Sequence, residues 1–352
     1  MIGKMTTNYV ATAYPSNLVK FSAVGNFSTF ECLELITVRS RSLQLYHIED
    51  EETVQIGQVR LASSVSGVWS FKPKDQGRDL LVVLTRRNEF FIAELTAIND
   101  NVNIHTRASG KYPSSADLVS LEYGPIVTFH RDSRIVCLAL FNQRFEILQL
   151  SEDYKSIISS YPIRVDNVDL SRLIGMEFLR PDLPDATVAF LQATSKRHLL
   201  SFTNFNFTRA KEKELKEKLS ISATFSKLDL EASFLLSLPI GHFPSVLIVG
   251  NGSIQYYNTQ KQYASATSPF LKDLVVTAHC LLYRDASDQA VTFLLAGCDG
   301  RLVLLVCRLL PHSSSVVGAR VDGVLEKKYA PCKINIEFIG VIPAAQTVSY
   351  RR

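Results

Sequence analysis

The chain alternates short apolar segments with short polar turns along most of its length. A typical unit is LLVVLT from Leu80, the polar turn RRN, and then EFFIAEL, in which apolar and polar residues alternate. Alternation with a period of two places successive side chains on opposite faces of a strand, and short turns join antiparallel neighbours. The pattern therefore predicts β-hairpins and not helices.

This hairpin pattern occurs six times at nearly even spacing. Its turns recur about every 52 residues and centre on Ser40, Arg87, Asn142, Ser195, Asn251 and Asp299. A further apolar segment precedes each hairpin, as VVTAHCLLY precedes the sixth. Strand repeats of this period are typical of propellers, whose blades are four-stranded antiparallel sheets. The sequence thus predicts an all-β fold, a divergent β-propeller with about six blades visible.

The last two turns contain glycine, which is the strongest turn signal in the chain. They read Gly250-Asn-Gly252 and Gly297-Cys-Asp-Gly300. Glycine is favoured where the backbone needs a positive φ, as in tight hairpin turns. The chain has a single tryptophan, Trp69, and no Trp-Asp dipeptide. The blades are therefore expected to be of a type without the common WD40 signature.

Composition and charge indicate a globular protein and argue against direct binding of nucleic acid. The chain has 352 residues, of which 46% are hydrophobic and 20% charged, so it can bury a large core. Its formal net charge of +4 is too small to argue for a phosphate-binding surface. Residues 209–219, RAKEKELKEKL, read as a charged helical insertion in which Glu and Lys interleave. We therefore expect any contact with nucleic acid to be indirect.

The sequence gives no sign of membrane insertion or of export. No apolar run approaches the ~20 residues that span a bilayer, and the start has no signal-peptide segment. The six cysteines are far apart and form no Cys-x-x-Cys pair. We expect an intracellular protein without membrane contact, whose cysteines are reduced thiols in the core.

No motif for catalysis, metal or cofactor binding stands out. The phosphate-binding loop, the zinc-protease helix, the serine-hydrolase elbow and the EF-hand loop are all absent. His279 and Cys280 are adjacent, but neighbours on a strand point to opposite faces and do not form a base and nucleophile pair easily. We therefore predict that the protein is not an enzyme and has no catalytic residue, metal site or cofactor.

Several segments together resemble a known family. They are NYVATA from Asn8, GNFSTFECLELITVRSRSLQLY from Gly25, FKPKDQGRDLLVVLT from Phe71, VLIVGNGSIQYYN from Val246, and LLAGCDGRLVLLV from Leu294. In this order and spacing they resemble the N-terminal propeller of the damage-specific DNA-binding protein 1 family. That family includes the large subunit of the cleavage and polyadenylation specificity factor and splicing factor 3b subunit 3. The resemblance extends from Asn8 to about Ser349.

The resemblance carries expectations about architecture and function. Propellers of this family have seven blades, so residues 1–350 are expected to form an N-terminal propeller without its last blade. The family's adaptors serve cullin-4 RING ubiquitin ligases, in DNA repair and protein ubiquitination, and are nuclear and also cytoplasmic. The implied function is a non-enzymatic scaffold that binds WD40-type substrate receptors, with the cullin held by a second propeller that is absent from this sequence.

The resemblance also implies two contact residues, Arg301 and Leu302, which follow Gly300 in the sixth turn. An arginine beside an apolar residue offers a docked receptor segment a charged hydrogen-bond donor next to an apolar contact. The alternative structural role is a solvated strand start for Arg301 and a core position for Leu302. The alternative function is a scaffold of pre-mRNA processing, like the polyadenylation and splicing relatives, with RNA-linked partners.

Overall fold

A computed structural model describes most of the chain. The described residues are 19–29, 32–48, 53–73, 76–98, 101–112, 120–130, 134–142, 144–163, 172–180, 186–194, 197–205, 221–226, 228, 231–241, 243–285, 289–299, 301–310 and 333–342. They form six four-stranded antiparallel sheets. Within these ranges the structure has no α-helix and one short 3₁₀ helix, Pro269–Leu271. The predicted charged insertion, residues 209–219, lies outside them.

One compact unit contains Met1–Ser114 and Glu152–Ile157, and it holds two sheets. Sheet 1 consists of β1 (Phe21–Gly25), β2 (Glu34–Arg39), β3 (Ser42–Ile48) and β4 (Thr53–Arg60). Sheet 2 consists of β5 (Val65–Phe71), β6 (Leu80–Thr85), β7 (Glu89–Ile98) and β8 (Asn101–Lys111). In both sheets the strands pair in chain order.

The second unit contains the remaining four sheets. Sheet 3 consists of β9 (Ile126–His130), β10 (Ile135–Phe141), β11 (Arg144–Leu150) and β12 (Ile157–Ile163). Sheet 4 consists of β13 (Leu173–Leu179), β14 (Ala186–Ala193), β15 (His198–Phe205) and β16 (Ile221–Phe225). Sheet 5 consists of β17 (Phe234–Leu238), β18 (Ser245–Val249), β19 (Ser253–Asn258) and β20 (Tyr263–Thr267). Sheet 6 consists of β21 (Val276–Arg284), β22 (Ala290–Gly297), β23 (Leu302–Leu310) and β24 (Lys333–Ile342).

The predicted repeat is confirmed at the level of sheets. Each predicted hairpin is the central strand pair of one sheet, from β2 and β3 in sheet 1 to β22 and β23 in sheet 6. The apolar segment upstream of each hairpin is the first strand, such as β13 in sheet 4. The all-β prediction is therefore confirmed, with six sheets of the size expected for propeller blades.

The core lies between consecutive sheets of each unit. Every residue of β6, β10 and β18 is buried, as the continuous apolar sequences of these strands require. Apolar clusters join sheet 1 to sheet 2, sheet 3 to sheet 4, sheet 4 to sheet 5, and sheet 5 to sheet 6. Each inner sheet is thus apolar on two faces, which explains why these strands do not alternate strictly.

A buried carboxylate joins the end of β1 to the start of β6. The backbone N–H of Asn26 donates to Asp79 Oδ2 at 2.7 Å, and the Asp79 N–H donates to the Asn26 carbonyl at 2.8 Å. A Cβ at Gly25 would lie 2.4 Å from Asp79 Oδ2. Glycine at position 25 is therefore required by this close approach, and Asp79 fixes where sheet 2 begins relative to sheet 1.

The cysteine prediction is only half correct. Free thiols are found at all five described cysteines, as expected. Cys137 and Cys307 are buried, and burial raises the pKa of the Cys307 thiol to about 12. Cys280 and Cys298, however, are exposed, because β21 and the sixth turn lie at the surface. Cys332 lies outside the described residues.

Candidate protein-binding surface

Arg301, the first predicted contact residue, lies where the turn between β22 and β23 ends. Its backbone N–H donates to Asp299 Oδ1 at 3.0 Å, and its Nε donates to Asp299 Oδ2 at 2.5 Å. Both terminal guanidinium nitrogens lie 3.3 Å from the carbonyl oxygen of Lys272. The guanidinium therefore joins two loops and is held in one position.

Asp299 holds this turn together electrostatically. Hydrogen bonds from the backbone and then from the side chain of Arg301 lower the pKa of the Asp299 carboxyl. The carboxylate is therefore ionised at neutral pH and offsets part of the charge of Arg301. Because Asp299 is exposed, the ion pair stabilises the fold little and mainly orients the guanidinium.

The loop that Arg301 touches is itself well ordered by hydrogen bonds. Ser268 Oγ accepts from the N–H of Phe270 at 3.2 Å, which caps the 3₁₀ helix Pro269–Leu271. Further along, the N–H of Asp273 donates to Asn251 Oδ1 at 2.8 Å. The loop is thus joined to the fifth predicted turn on one side and to the sixth on the other.

We term these three joined loops the turn surface, defined as Gly250–Gly252, Ser268–Val275, and Gly297–Asp299 with Arg301. Gly252 has a φ of 79°, as its predicted turn requires. Leu271 and Leu274 anchor the middle loop in the core between sheets 5 and 6. A Cβ at Gly297 would lie 2.2 Å from Leu274 Cδ1, so this glycine serves close packing.

The turn surface presents apolar side chains beside its charges. Phe270 is 39% exposed and Val275 is 53% exposed. Lys272, whose carbonyl oxygen accepts a hydrogen bond from the Arg301 guanidinium, is also exposed. Exposed apolar groups beside ordered polar groups are typical of surfaces that bind proteins.

Exposed apolar residues continue from the turn surface into β21. Seven of the nine residues of this strand are exposed. They include Leu281, Leu282 and Tyr283, which are 44%, 52% and 58% exposed. The first strands of the other five sheets are each more buried than β21.

Leu302, the second predicted contact residue, lies on the face of sheet 6 that points away from sheet 5. Leu302 pairs with Ala296, whereas the neighbouring Leu295 and Val303 belong to the core shared with sheet 5. We term this second face the open face. Its members in β21 to β23 are Ala278, Cys280, Tyr283, Thr292, Leu294, Ala296, Leu302, Leu304 and the buried Val306. Arg301 and Leu302 therefore belong to two adjoining surfaces, the turn surface and the open face.

His279 and Cys280 point to opposite faces of β21, as expected for neighbours on a strand. The His279 ring lies edge-on to Phe234 and Phe293, with centroid distances of 5.4 and 6.4 Å. Removal of water by this packing lowers the pKa of His279. The Cys280 thiol lies 3.6 Å from the Leu281 carbonyl oxygen. The imidazole thus packs edge-on against two aromatic rings, although His279 as a residue is exposed.

The described part of the chain contains neither a cluster of metal ligands nor a membrane-spanning helix. No group of three or more His, Cys, Asp or Glu side chains is placed to hold a metal ion in the described ranges. Within the same ranges, no helix has the length and apolar character needed to cross a membrane.

Sequence reasoning missed two parts of this surface. The loop Ser268–Val275 carries no motif, although Ser268 followed by Pro269 is a recognisable signal for the start of a helical turn. The exposure of β21 was also missed, because its sequence VTAHCLLYR is as apolar as that of a buried strand. Apolarity predicts a strand but does not reveal whether a second sheet covers it.

Comparisons with known proteins place this arrangement in a family. The model of the family described as "RSE1/DDB1/CPSF1 first beta-propeller" matches residues 18–350. The chain is 25% identical over 301 residues to DNA damage-binding protein 1 of Drosophila melanogaster, covering 86% of the chain and 25% of that relative. It is 24% identical over 347 residues to DNA damage-binding protein 1 of Solanum lycopersicum, covering 97% of the chain and 28% of that relative. The chain thus spans about a quarter of the length of these curated relatives.

Proposed function

Because the chain belongs to the RSE1/DDB1/CPSF1 first β-propeller family, we propose that it is a non-enzymatic scaffold that binds other proteins. Propellers present wide faces and ordered loops to partners, and their sheets make them rigid. The observation that carries the proposal is the continuous exposed apolar surface formed by Phe270, Val275 and the strand β21. Exposed apolar area of this kind is costly in water unless it is covered at least part of the time.

The finer proposal is an arm of an adaptor for cullin-4 RING ubiquitin ligases. WD40-type substrate receptors would dock on the turn surface, where Arg301 supplies charge-assisted donors, and on the adjoining edge of the open face, where Leu302 supplies an apolar contact. The cullin would be held elsewhere in the assembly. This role fits relatives whose names refer to DNA damage and would place the protein in the nucleus, and also in the cytoplasm, in DNA repair and ubiquitination.

We also propose that residues 1–350 form a propeller without its last blade. The open face of sheet 6 supports this proposal, because Leu294, Leu302 and Leu304 are apolar and only half-buried there. In a complete propeller such a face packs against a neighbouring blade. A seventh sheet supplied by another segment would cover Leu294 and Leu304, whereas Leu302, the first residue of β23, lies at the edge of this face beside the turn.

The function is tested by isolating the endogenous protein with an antibody to this chain and identifying its partners by mass spectrometry. Cullin-4 and WD40-type receptors that remain after ribonuclease treatment would support the ligase role. Polyadenylation or splicing factors that are lost after ribonuclease treatment would instead favour the second candidate, a scaffold of pre-mRNA processing. That candidate is retained because the family description covers the polyadenylation relatives as well.

A further inference from the structure

The first strands of sheets 4 and 5, β13 and β17, lie side by side and run in the same direction. A Cβ at Gly175 of β13 would lie 3.2 Å from the Cβ of Leu235 in β17. Beyond the end of β13, the Arg180 guanidinium donates to the carbonyl of Gly241, which follows β17. The two strands are therefore level at Gly175 and Leu235, and their carboxyl ends meet.

Glu177 and Ser237 follow these two level positions by two residues. Residues two apart on a strand point to the same face. Glu177 therefore shares a face with Gly175, and Ser237 shares a face with Leu235. Cross-strand pairing agrees: Glu177 pairs with Ala189 and Ser237 pairs with Val246. Ala189 and Val246 both belong to the cluster between sheets 4 and 5. The carboxyl and the hydroxyl thus lie at one level of this interface.

Neither side chain has a hydrogen-bond partner in the part of the chain that the structure describes. Ser237 Oγ is buried and has no partner there, and an unsatisfied buried hydroxyl normally costs stability. Glu177 has no hydrogen bond or ion pair to a described residue, and as a residue it is half-buried, as Ser237 is. Removal of water from the carboxyl raises the pKa of Glu177 to about 8.

No charged group of the neighbouring strands faces Glu177. β17 and β14, with sequences FLLSL and ATVAFLQA, carry no titratable side chain. The titratable side chain of β9 is His130, whose ring lies edge-on to Phe178 at 5.3 Å, on the side of sheet 3. Arg180 is bound to the Gly241 carbonyl at the end of the strand. Among the described residues, the carboxyl is therefore an acceptor without a paired cation.

We propose that Glu177 and Ser237 form a binding site for a guanidinium or primary ammonium group, supplied by an arginine or lysine side chain of a bound protein. Both groups accept hydrogen bonds, and such a cation carries several N–H donors that can reach two acceptors at once. Bound there, the cation favours the ionised carboxylate, so binding releases a proton and strengthens as the pH rises towards 8. The source of the cation rests on the proposed scaffold function, whereas the site itself does not.

The test uses the 352-residue chain with ¹³C-labelled glutamate carboxyl groups. The Glu177 signal is assigned by its loss in Glu177→Gln, a variant of equal size that removes the charge. The carboxyl is then titrated with pH in guanidinium chloride and in tetramethylammonium chloride, each at about 0.1 M, where screening is the same. Tetramethylammonium is the control, since it carries the charge but has no N–H donor.

We expect guanidinium to lower the pH midpoint of the Glu177 titration, by about half a pH unit for a dissociation constant of about 50 mM. Tetramethylammonium should leave the midpoint unchanged, and Ser237→Ala should weaken the guanidinium effect. Equal shifts with both salts, or none with guanidinium, would overturn the site. If guanidinium lowers the midpoint of the Glu177 titration but the protein binds no partner, the scaffold function is contradicted and the cation site is still supported.

Discussion

The strands β13 and β21 have similar apolar sequences and opposite environments. β13, LIGMEFL, packs against both β9 and β17, so the large side chains Met176 and Phe178 are buried. β21, VTAHCLLYR, contacts Phe234 of sheet 5 through His279, yet seven of its nine residues, including His279, are exposed. The same pattern thus forms core in sheet 4 and surface in sheet 6. The difference shows that the covering of the second face, and not the strand's own composition, decides its role.

The largest effect expected from this comparison is on stability. Phe178→Ala in β13 should lower the free energy of unfolding by about 3–5 kcal/mol, because it leaves a cavity between sheets 3 and 4. Tyr283→Ala in β21 should change it by less than about 0.5 kcal/mol, since the ring is already in water. Urea denaturation of both variants checks this. Losses of equal size would show that β21 is packed like β13.

Covering the open face should give the next largest effect. A chain extended by one further blade of the family should unfold at a higher temperature and be more soluble. Burying the remaining exposed area of two half-buried leucines there would add about 1–3 kcal/mol. Thermal unfolding and sedimentation of the two chains measure the difference. Equal melting temperatures would contradict the proposal that a blade is missing.

The third difference between β13 and β21 is the pH dependence of stability that Glu177 gives to β13. Its carboxyl titrates near pH 8 in the folded protein and near its ordinary value of 4.5 when unfolded. The folded state therefore holds the extra proton, and stability should fall as the pH rises from about 4.5 to about 8 and then level off.

Glu177→Gln should flatten this part of the pH profile. At pH 9 the variant should be the more stable protein, by about 1–3 kcal/mol, because the poorly hydrated charge of the half-buried carboxylate is gone. Denaturation at a series of pH values gives the comparison. Glu94→Gln is a suitable control, since Glu94 is paired with Arg107 and lies in the other unit. If the unfolding free energy of the wild type does not fall between about pH 4.5 and pH 8, the carboxyl of Glu177 does not have a raised pKa.

The smallest effect is expected in the turn surface. Arg301→Ala should change the unfolding free energy by less than about 1 kcal/mol, because the ion pair is exposed. The pKa of Asp299 should rise, since the side-chain hydrogen bond and the positive charge that lower it are removed. Carboxyl NMR titration measures this change. An unchanged Asp299 pKa would show that Arg301 does not hold the turn.

The sequence alone predicted the repeat but not its surface. Six hairpins were readable because their central strands are continuously apolar and their turns polar, as in LLVVLT from Leu80. The fourth strands were not assigned individually, because outer strands such as β20, YASAT, are short, polar and half-exposed. A short outer strand is held by its neighbour, and its own residues give little signal.

Only two residues of the candidate surface were predicted from the sequence. Arg301 and Leu302 came from the family resemblance, and their role as contacts stays a prediction. The roles of Gly297 and Leu274 depend on a contact between loops more than 20 residues apart in sequence, as the close approach of their side-chain positions shows. The level placement of Glu177 and Ser237 likewise depends on the packing of two sheets. Such relationships are set by tertiary structure and leave no local pattern.

The most direct test of the scaffold role is the affinity of a purified WD40-type receptor for the chain and for two matched variants. Val275 and Val54 are 53% and 44% exposed, but only Val275 lies on the turn surface, since Val54 lies in β4 of sheet 1. Val275→Asp is expected to weaken receptor binding at least about tenfold, which corresponds to about 1.4 kcal/mol, while Val54→Asp leaves it unchanged. Equal affinities for wild type and Val275→Asp, or no binding of the receptor at all, would contradict the account.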